Sequence, residues 1–447
     1  MTIRFIGHWS KLGRQERAQA LSRGLDKIFD PGLRTSIAAL VEDVRQRGDA
    51  ALVDALARFD GCEVEAGRLR VTDQEIERAR TTVDPGLLAA IRDGIDHVRR
   101  FNEQITGRGD WSFESEPGLV VGEKVSPIAS AGLFVPSGKG SYPSVLVQLG
   151  TPAVVAGVPD IAVVVPPVPG QRSAAGMAGE VDPAVLVVAA ELGIREVFRT
   201  NGPAGVAALA FGTESVPRVR KIVGPGSPAV ACAQVEVQRY GTVTNMLLGP
   251  SESLIIADDS ADPRLLAADL LNEAEHGPDS SSVLVTDSES LLAAVQRHVA
   301  EQLAALPDPR KGYAATALGV NGGVILVRDL AEAAEVADAY APEHMQIAVR
   351  DEDWLLARLH NAGEILIGQY TTISAANFII GCPASLPTSG FARVSSGITA
   401  DAFRKRTAVA RADRRALTRM SDSIIAFTSH EGFPAHEAAV RIRVARD

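Results

Sequence analysis

Aromatic residues and cysteines are both scarce in this chain, and each scarcity excludes a class of protein. Phe, Trp and Tyr make up 5% of the 447 residues, whereas 46% of the residues are apolar. The core must therefore be aliphatic, which favours helices packed on buried strands over an aromatic-rich β-sandwich. The three cysteines, Cys62, Cys232 and Cys382, lie far apart. They predict neither a disulfide framework nor a zinc knuckle, and they are typical of a reducing cytoplasm.

Two further absences narrow the possible partners. The formal net charge is -10, and no Lys/Arg-rich run stands out, so the electrostatic footprint of a nucleic-acid-binding protein is missing. No uninterrupted apolar run reaches the roughly 18 residues of a membrane span, and Met1 to Arg14 lack the apolar region of a signal peptide. We therefore expect a cytoplasmic protein that acts on a small molecule, with neither a nucleic acid nor a membrane as partner.

Hydrophobic periodicity divides the chain into helical and alternating parts. Helical spacing dominates from about Gln15 to Ile105, and from Leu119 onwards short aliphatic runs alternate with helical stretches. The aliphatic runs lie at 161–165, 196–199 and 221–223, and again at 254–257, 282–286, 324–327 and 365–367. This repeated β-α-β rhythm is typical of parallel sheets covered by helices on both faces. A basic helix is predicted over 403–420, followed by a helical tail.

These patterns predict an α/β fold with two successive parallel-sheet domains. A helical N-terminal segment with its lead-in is expected at 1–118, the first sheet domain at 119–250 and the second at 251–375. The remaining residues, 376–447, form a C-terminal segment whose tail is of the kind that often packs on a partner subunit.

Three of the eight histidines stand in segments that could carry chemistry. His276 follows Glu273 by three positions, a spacing by which one helix can present two metal ligands. His344 is adjacent to Glu343, and such a pair can divide proton transfer and water activation between its members. His436 follows a proline near the end of the chain. Taken singly, each histidine is explained at least as well by an ordinary helix end or turn.

Two glycine-rich turns are candidates for binding phosphate. Gly224-Pro225-Gly226 follows a predicted strand and opens a helix, and Gly249-Pro250-Ser251 precedes another strand. A glycine turn at a helix N-terminus can cradle a phosphate group. Neither turn is the G-x-G-x-x-G fingerprint, and such turns are common in α/β folds, so this signal alone is weak.

Taken in order, the motifs resemble the histidinol dehydrogenase family along nearly the whole chain. The segments that carry the resemblance are Gly132-Leu133-Phe134-Val135-Pro136-Ser137-Gly138, Gly224-Pro225-Gly226, Gly249-Pro250-Ser251-Glu252, Ala274-Glu275-His276-Gly277-Pro278-Asp279, Tyr340-Ala341-Pro342-Glu343-His344, Leu386-Pro387-Thr388, and Glu431 with His436. The resemblance implies an NAD-dependent, zinc-containing homodimer with two Rossmann-like domains and terminal segments exchanged between subunits. It also implies oxidation of an amino alcohol to the acid in two hydride transfers.

The resemblance also implies roles for particular residues. Carried over by position, the ligands of one zinc ion per subunit are Glu273, His276, Asn377 and, from the neighbouring subunit, His436. The family usually has Gln at the first of these positions and Asp at the third, so the number of carboxylates is unchanged while the charge has moved. His344 becomes the base that takes the hydroxyl proton, and Glu343 activates the water that adds to the aldehyde.

Departures from the family pattern concern the substrate and the cofactor. Ser251 and Glu431 match substrate-contact positions, but the substrate-binding histidine of the family is replaced by Ala384, which removes a donor to a polar group. Three positions that face the dinucleotide in the family also differ: Phe134 replaces Tyr, Ala204 replaces Gln and Ser227 replaces Asn, so three polar contacts are weakened or lost. NAD remains the expected cofactor, with weakened contacts.

We therefore expect a family paralogue that oxidises a small hydroxylated compound other than histidinol. Whether such a reaction stops at the aldehyde, and whether the cofactor is NAD or NADP, are left open. One alternative is a genuine L-histidinol dehydrogenase of histidine biosynthesis with unusual ligands. Another, from a different class, is a metal-binding relative without cofactor turnover. A dehydrogenase of sulfonated or other acidic polyols is a subclass of the first hypothesis.

Overall fold

The computed structural model describes residues 3–23, 30–137, 140–168, 179–245 and 249–445. Gly138, the last residue of the first family motif, lies outside these ranges. Within them, no helix is both long enough and apolar enough to cross a membrane. The predicted α/β fold with two parallel sheets is confirmed.

The N-terminal part is mostly helical, as predicted. Its elements are β1 (Phe5–His8), α1 (Arg14–Ala20), α2 (Pro31–Arg47), α3 (Asp49–Ala55), α4 (Asp73–Thr82) and α5 (Pro85–Thr106), followed by the antiparallel strands β2 (Trp111–Glu116) and β3 (Leu119–Pro127). Helix α2 begins where the Asp30 carboxylate accepts a hydrogen bond from the Leu33 amide at 2.7 Å. Helix α4 begins with the predicted capping box of Thr72 and Glu75.

The first parallel sheet has the strand order β6-β5-β4-β7-β8. Its strands and helices are β4 (Ser130–Phe134), α6 (Pro143–Val155), β5 (Asp160–Val165), α7 (Pro183–Glu191), β6 (Glu196–Arg199), α8 (Gly202–Phe211), β7 (Lys221–Val223), α9 (Pro228–Gln238) and β8 (Val243–Thr244). Alternate strand residues pack into two different cores, Leu133 and Val163 into one and Phe134 and Val164 into the other. Both faces are therefore covered, as the continuous aliphatic runs predict.

The second parallel sheet has the strand order β1-β11-β10-β9-β12-β13. Its further elements are β9 (Glu252–Ala257), α10 (Pro263–Ala274), β10 (Ser281–Thr286), α11 (Glu289–Ala305), α12 (Arg310–Thr316), β11 (Gly323–Leu326), α13 (Leu330–Tyr340), β12 (His344–Ala348), α14 (Glu352–Leu356), β13 (Glu364–Ile367) and α15 (Ile373–Phe378). The N-terminal strand β1 joins this sheet by pairing with β11. The N-terminal segment thus contributes a strand to the second domain.

The C-terminal segment differs from its prediction. It forms β14 (Arg404–Ala412), α16 (Arg414–Glu431) and α17 (Pro434–Val444), so the basic helix expected over 403–420 is wrong in its first half. Strand β14 pairs antiparallel with β3 from Arg404 opposite Pro127 to Ala412 opposite Leu119. Long-range pairing along a whole strand overrides local helix propensity. Residues 119–127 accordingly belong to this three-stranded sheet, and the first parallel sheet begins at Ser130.

Candidate active site

One cavity of about 950 Å³ is shared by the two domains. On the side of the first domain its lining includes Phe134, at the carboxyl end of β4, and Pro225, just after β7. On the side of the second domain it includes Ser251, just before β9, and His344, the first residue of β12. The first sheet therefore presents the carboxyl ends of its strands to the cavity, and the second sheet presents the amino ends.

The predicted catalytic pair lies at the start of β12, a central strand between β9 and β13. Helix α13 ends at Ala341, whose left-handed conformation (φ 50°) turns the chain towards the strand. Both Glu343 and His344 are buried. The Glu343 carboxylate accepts a hydrogen bond from the Glu252 amide at 3.0 Å, and its other oxygen lies 3.9 Å from His344 Nε2. The sequence neighbours Glu343 and His344 thus meet in one buried site.

A second carboxylate, which the sequence reasoning missed, contacts the same imidazole. Glu364 Oε1 lies 2.5 Å from His344 Nδ1, and the two side chains are 7% and 3% exposed. Glu364 opens β13, and the parallel register places it beside His344. The only sequence signal, a glutamate at the start of an aliphatic run, was not specific, since β6 and β9 also begin with a glutamate.

The buried charges strongly perturb each other. Burial raises the pKa of Glu343 well above its usual value, and the charges of Glu273 and Glu252 add to this rise against the lowering effect of His344. Burial alone would lower the pKa of His344, but the hydrogen bond that its ring donates to Glu364 and the charges of the surrounding carboxylates outweigh burial and raise that pKa to about 10. Perturbed groups of this kind in a cleft mark a candidate active site.

Glu252 continues the charge cluster below the cavity. Burial raises its pKa to about 7, opposed mainly by the charge of Arg23. Arg23 Nη1 and Glu252 Oε2 form an ion pair at 2.7 Å, with the two side chains 9% and 2% exposed. The Arg23 guanidinium also lies 3.7 Å from the centre of the Tyr340 ring. An arginine from the N-terminal segment therefore neutralises part of the charge under the active site.

The predicted zinc ligands of the main body are in part consistent with a metal. Glu273, in the last turn of α10, is fully buried, and within the described ranges no donor reaches either of its carboxylate oxygens. Such a carboxylate needs a proton or a cation. His276 and Asn377 both line the cavity. A carboxylate, an imidazole and an amide oxygen are donors that zinc accepts.

A single chain does not bring all the predicted zinc ligands together. Among the described residues, no three His, Cys, Asp and Glu side chains converge as a metal site. Of the predicted ligands, only Glu273 and His276 are residues of these types in the main body. His436 lies exposed in α17, where its ring contacts Phe433 at 5.2 Å between centroids. Glu431, at the end of α16, is also exposed, and neither residue lines the cavity. A site shared between subunits remains a prediction.

The three predicted cofactor positions fall in different surroundings. Phe134 and Ser227 line the cavity. Ser227 caps α9, its hydroxyl accepting a hydrogen bond from the Val230 amide at 3.5 Å. Ala204 is fully buried within α8 and is not among the lining residues. At these three positions the side chains offer few polar groups that could contact a cofactor.

Glycine shapes the wall at the start of α9. A Cβ atom at Gly226 would lie 2.5 Å from Val230 Cγ1, and one at Gly224 would lie 2.2 Å from the Phe134 carbonyl oxygen. Only glycine, which has no Cβ atom, lets the backbone at these two positions lie so close to its neighbours. The N-termini of α8 and α9 lie beside it, and helix N-termini attract phosphate groups. This wall therefore fits a dinucleotide through backbone and glycine rather than through charged side chains.

The remaining wall is where the family histidine is absent. Ala384 lines the cavity together with Phe378, Ile379 and Ser385, and its amide donates a hydrogen bond to Gln148 Oε1 at 3.3 Å. In the described part of the chain, the lining contains no Lys and no Arg. This wall offers neither an imidazole nor a cationic side chain to a substrate.

Comparisons with known proteins point to one family. The sequence profile of the histidinol dehydrogenase family matches residues 27–444. A histidinol dehydrogenase homolog of Colwellia psychrerythraea is 37% identical, with 97% of this chain and 95% of that protein covered. A histidinol dehydrogenase of Methanosarcina barkeri is 36% identical, with 99% and 98% covered. The crystal structure of histidinol dehydrogenase from Elizabethkingia anophelis superposes with a TM-score of 0.91 at 29% identity, covering 98% of this chain and 97% of that one.

Proposed function

The chain belongs to the histidinol dehydrogenase family of oxidoreductases, and we propose that it oxidises a small amino alcohol or polyol other than histidinol. The oxidation is NAD-dependent and zinc-assisted. One juxtaposition carries the proposal: the buried Glu343–His344 pair faces the same cavity as Ala384. The groups for proton transfer are thus present, whereas a group that would recognise the imidazole of histidinol is missing.

His344 acts in the first oxidation. Its Nε2 atom takes the proton of the substrate hydroxyl, while the hydride on the same carbon leaves and the carbon–oxygen double bond forms. Bound NAD supplies the hydride acceptor. The products are an aldehyde, NADH and a proton, so atoms and electrons balance.

Glu343 acts in the second oxidation, when the reaction proceeds to the acid. Its carboxylate takes a proton from the water that adds to the aldehyde carbon, and the protonated His344 returns its proton to the carbonyl oxygen, which completes the diol. His344 then takes a hydroxyl proton of the diol, and a second bound NAD would supply the hydride acceptor. The Glu252 amide, 3.0 Å from Glu343 Oε2, holds the carboxylate in place for this step. The coarser reaction class, alcohol or aldehyde oxidation, is common to both steps.

A zinc ion would be held by Glu273, His276 and Asn377, with His436 of a second subunit in a homodimer. When bound, the metal orients the substrate and neutralises the buried Glu273 carboxylate. The need for a ligand from another copy is supported by the exposure of His436 and Glu431 on the tail. The three cysteines lie far apart in the sequence, and a scattered, odd number of cysteines supports a place in the reducing cytoplasm.

The charge of the site favours one class of substrate. Four buried or nearly buried carboxylates, Glu252, Glu273, Glu343 and Glu364, lie near enough to His344 to interact with its charge, and Arg23 is paired with the first of them. An anionic substrate would add repulsion in a site of low dielectric. A cationic amino alcohol or a neutral polyol is therefore favoured over an acidic polyol.

A genuine L-histidinol dehydrogenase is the second candidate. It is favoured by relatives of that name that are 36% to 38% identical along nearly their whole length. A binding protein without turnover is supported by the few polar side chains on the cofactor wall, but the buried Glu343–His344 pair has no purpose in it.

The test is an NADH-formation assay of the zinc-loaded protein with amino alcohols and polyols, including L-histidinol. We expect turnover of an amino alcohol and no comparable turnover of histidinol. Rescue of a histidine auxotroph would instead establish the second candidate. Absence of NAD binding in calorimetry would establish the protein without turnover.

A further inference from the structure

A polar row crosses the second sheet at the level of His344. In the parallel register, Ser282 lies beside Ser253, Ser253 beside His344, and His344 beside Glu364. Side chains of adjacent residues in register project from the same face of a sheet. Glu364 is thus fixed next to the imidazole by the pairing of two strands, not by a flexible loop.

The contact with Glu364 occupies one specific nitrogen of the ring. Glu364 Oε1 lies 2.5 Å from Nδ1, whereas Nε2 faces Glu343 at 3.9 Å, beyond hydrogen-bonding distance. A carboxylate can only accept a hydrogen bond when ionised. In the neutral ring, Nδ1 therefore carries the proton, and the lone pair of Nε2 is free.

We infer that Glu364 is a positioning residue for the base His344. It fixes the tautomer in which Nε2 can accept the substrate proton, and its charge balances the imidazolium that this transfer creates. The inference rests on the proposed function, because it assigns Glu364 a part in the same reaction. It explains why a carboxylate lies at a position that is 7% exposed, where a charge without a partner would destabilise the fold.

A purely structural role is the competing explanation. In that case Glu364 would only form a buried ion pair with a protonated His344, and its loss would lower stability without a specific effect on proton transfer. Other charges also face His344, namely Glu343, Glu273 and, more distantly, Glu252 with its partner Arg23. A test must therefore observe the ring itself and not only the activity.

The first experiment compares Glu364→Gln and Glu364→Ala with the zinc-loaded wild-type protein, using the amino alcohol that the wild type turns over. A matched control is Glu332→Gln, since Glu332 is a buried carboxylate of the same domain that is paired with Arg328 at 3.1 Å. We expect kcat to fall about 10²- to 10⁴-fold in Glu364→Ala, with KM changed by less than about threefold. The control should keep its kcat within about twofold.

The second experiment is nitrogen NMR of the protein labelled at histidine, with the His344 signal assigned by its loss in His344→Gln. The spectrum is recorded above about pH 10, where the ring is neutral. We expect the wild-type ring to carry its proton on Nδ1 there and that of Glu364→Ala to shift towards Nε2. A neutral wild-type ring with its proton on Nε2, or a kcat of Glu364→Ala within about twofold of wild type, would overturn the inference. If no alcohol reduces NAD, the proposed function fails, and this spectrum still decides whether Glu364 sets the tautomer.

Discussion

The two sheets present opposite edges to the same cavity, and the two edges differ in chemistry. The first sheet contributes the carboxyl ends of its strands, with Phe134 and the glycines after β7. The second contributes the amino ends, with His344 and Glu364 as the first residues of β12 and β13. The first edge is rich in glycine, with Asn201 and Ser227 as neutral polar side chains, and the second is crowded with buried carboxylates.

This difference suits the two edges to two proposed tasks, cofactor binding and proton transfer. Parallel α/β sheets bind dinucleotides at the carboxyl ends of their strands, where helix N-termini face the ligand, and the cofactor site proposed at the first sheet would follow this rule. The second sheet does not use its carboxyl edge for the cavity. At its amino edge, side chains rather than helix dipoles face the substrate, and the strand register decides which of them meet. Cofactor binding and proton transfer should therefore respond to different substitutions.

The largest effect is expected from the ion pair beneath the second edge. Arg23→Met leaves the Glu252 carboxylate, 2% exposed, without its partner. Removal of one member of a buried pair costs about 3–5 kcal/mol, so the free energy of unfolding in urea should fall by that amount. The double variant Arg23→Met/Glu252→Gln should recover most of the loss. A fall of less than about 1 kcal/mol in the single variant would show that the charges at this edge are not tightly coupled.

Zinc should stabilise the protein through the same edge. A zinc concentration about 100 times the Kd should add about 2.7 kcal/mol to the free energy of unfolding, measured against the chelator-treated protein. In Glu273→Ala this gain should be lost. Chelator-treated Glu273→Gln, by contrast, should be more stable than the chelator-treated wild type, because a buried carboxylate without a donor has been removed. An equal zinc gain in Glu273→Ala would exclude Glu273 as a ligand.

A substitution at the first edge should affect the cofactor alone. In Gly226→Ala the new Cβ would lie 2.5 Å from Val230 Cγ1, so the start of α9 must shift and the cavity narrows. We expect the KM for NAD to rise about tenfold, which is about 1.4 kcal/mol, with little change in the KM for the alcohol. Gly312→Ala is the control, since nothing lies within 4 Å of its Cβ position. Equal changes in both KM values would mean that the two edges do not act separately.

The smallest effect is a displacement of the pH profile. The pKa of His344 is raised to about 10. Below that value the fraction of neutral His344 increases about tenfold per pH unit, so kcat/KM should rise with pH across the neutral range. Glu364→Gln removes a charge that helps to raise this pKa, so the rise of kcat/KM should be displaced to lower pH. The folded-state pKa lies above the usual 6.5, so the associated stability is fully present below that pH and is lost as the pH approaches 10. A flat profile in both proteins would contradict this role of His344.

Much of the fold could be predicted, because aliphatic runs and helix caps are local signals. The strands at 161–165, 196–199 and 221–223 were predicted in nearly their observed positions. Strand β12 was not identified, because the buried polar residues His344 and Gln346 interrupt its aliphatic pattern. Strand β14 was mistaken for a helix, because only its pairing with the distant β3 stabilises it.

The candidate site was predicted from adjacent residues better than from distant ones. Glu343 and His344 are neighbours in sequence, and both line the cavity, while their catalytic roles stay predictions. Glu364 is twenty positions away from His344, and only the register of two parallel strands brings them together. Periodicity does not specify register, so the residue that contacts the base most closely was missed.

The central claim is that the groups for proton transfer, Glu343 and His344, are present while the group that would recognise histidinol is missing. Its most direct test is the kcat/KM for L-histidinol of the zinc-loaded wild type, beside that of Ala384→His. We predict a wild-type value at least about 100-fold below that for the preferred amino alcohol, and a gain of at least about tenfold in Ala384→His. Wild-type turnover of histidinol at roughly 1–10³ s⁻¹, the usual range of enzymes, without any gain from Ala384→His, would contradict the claim.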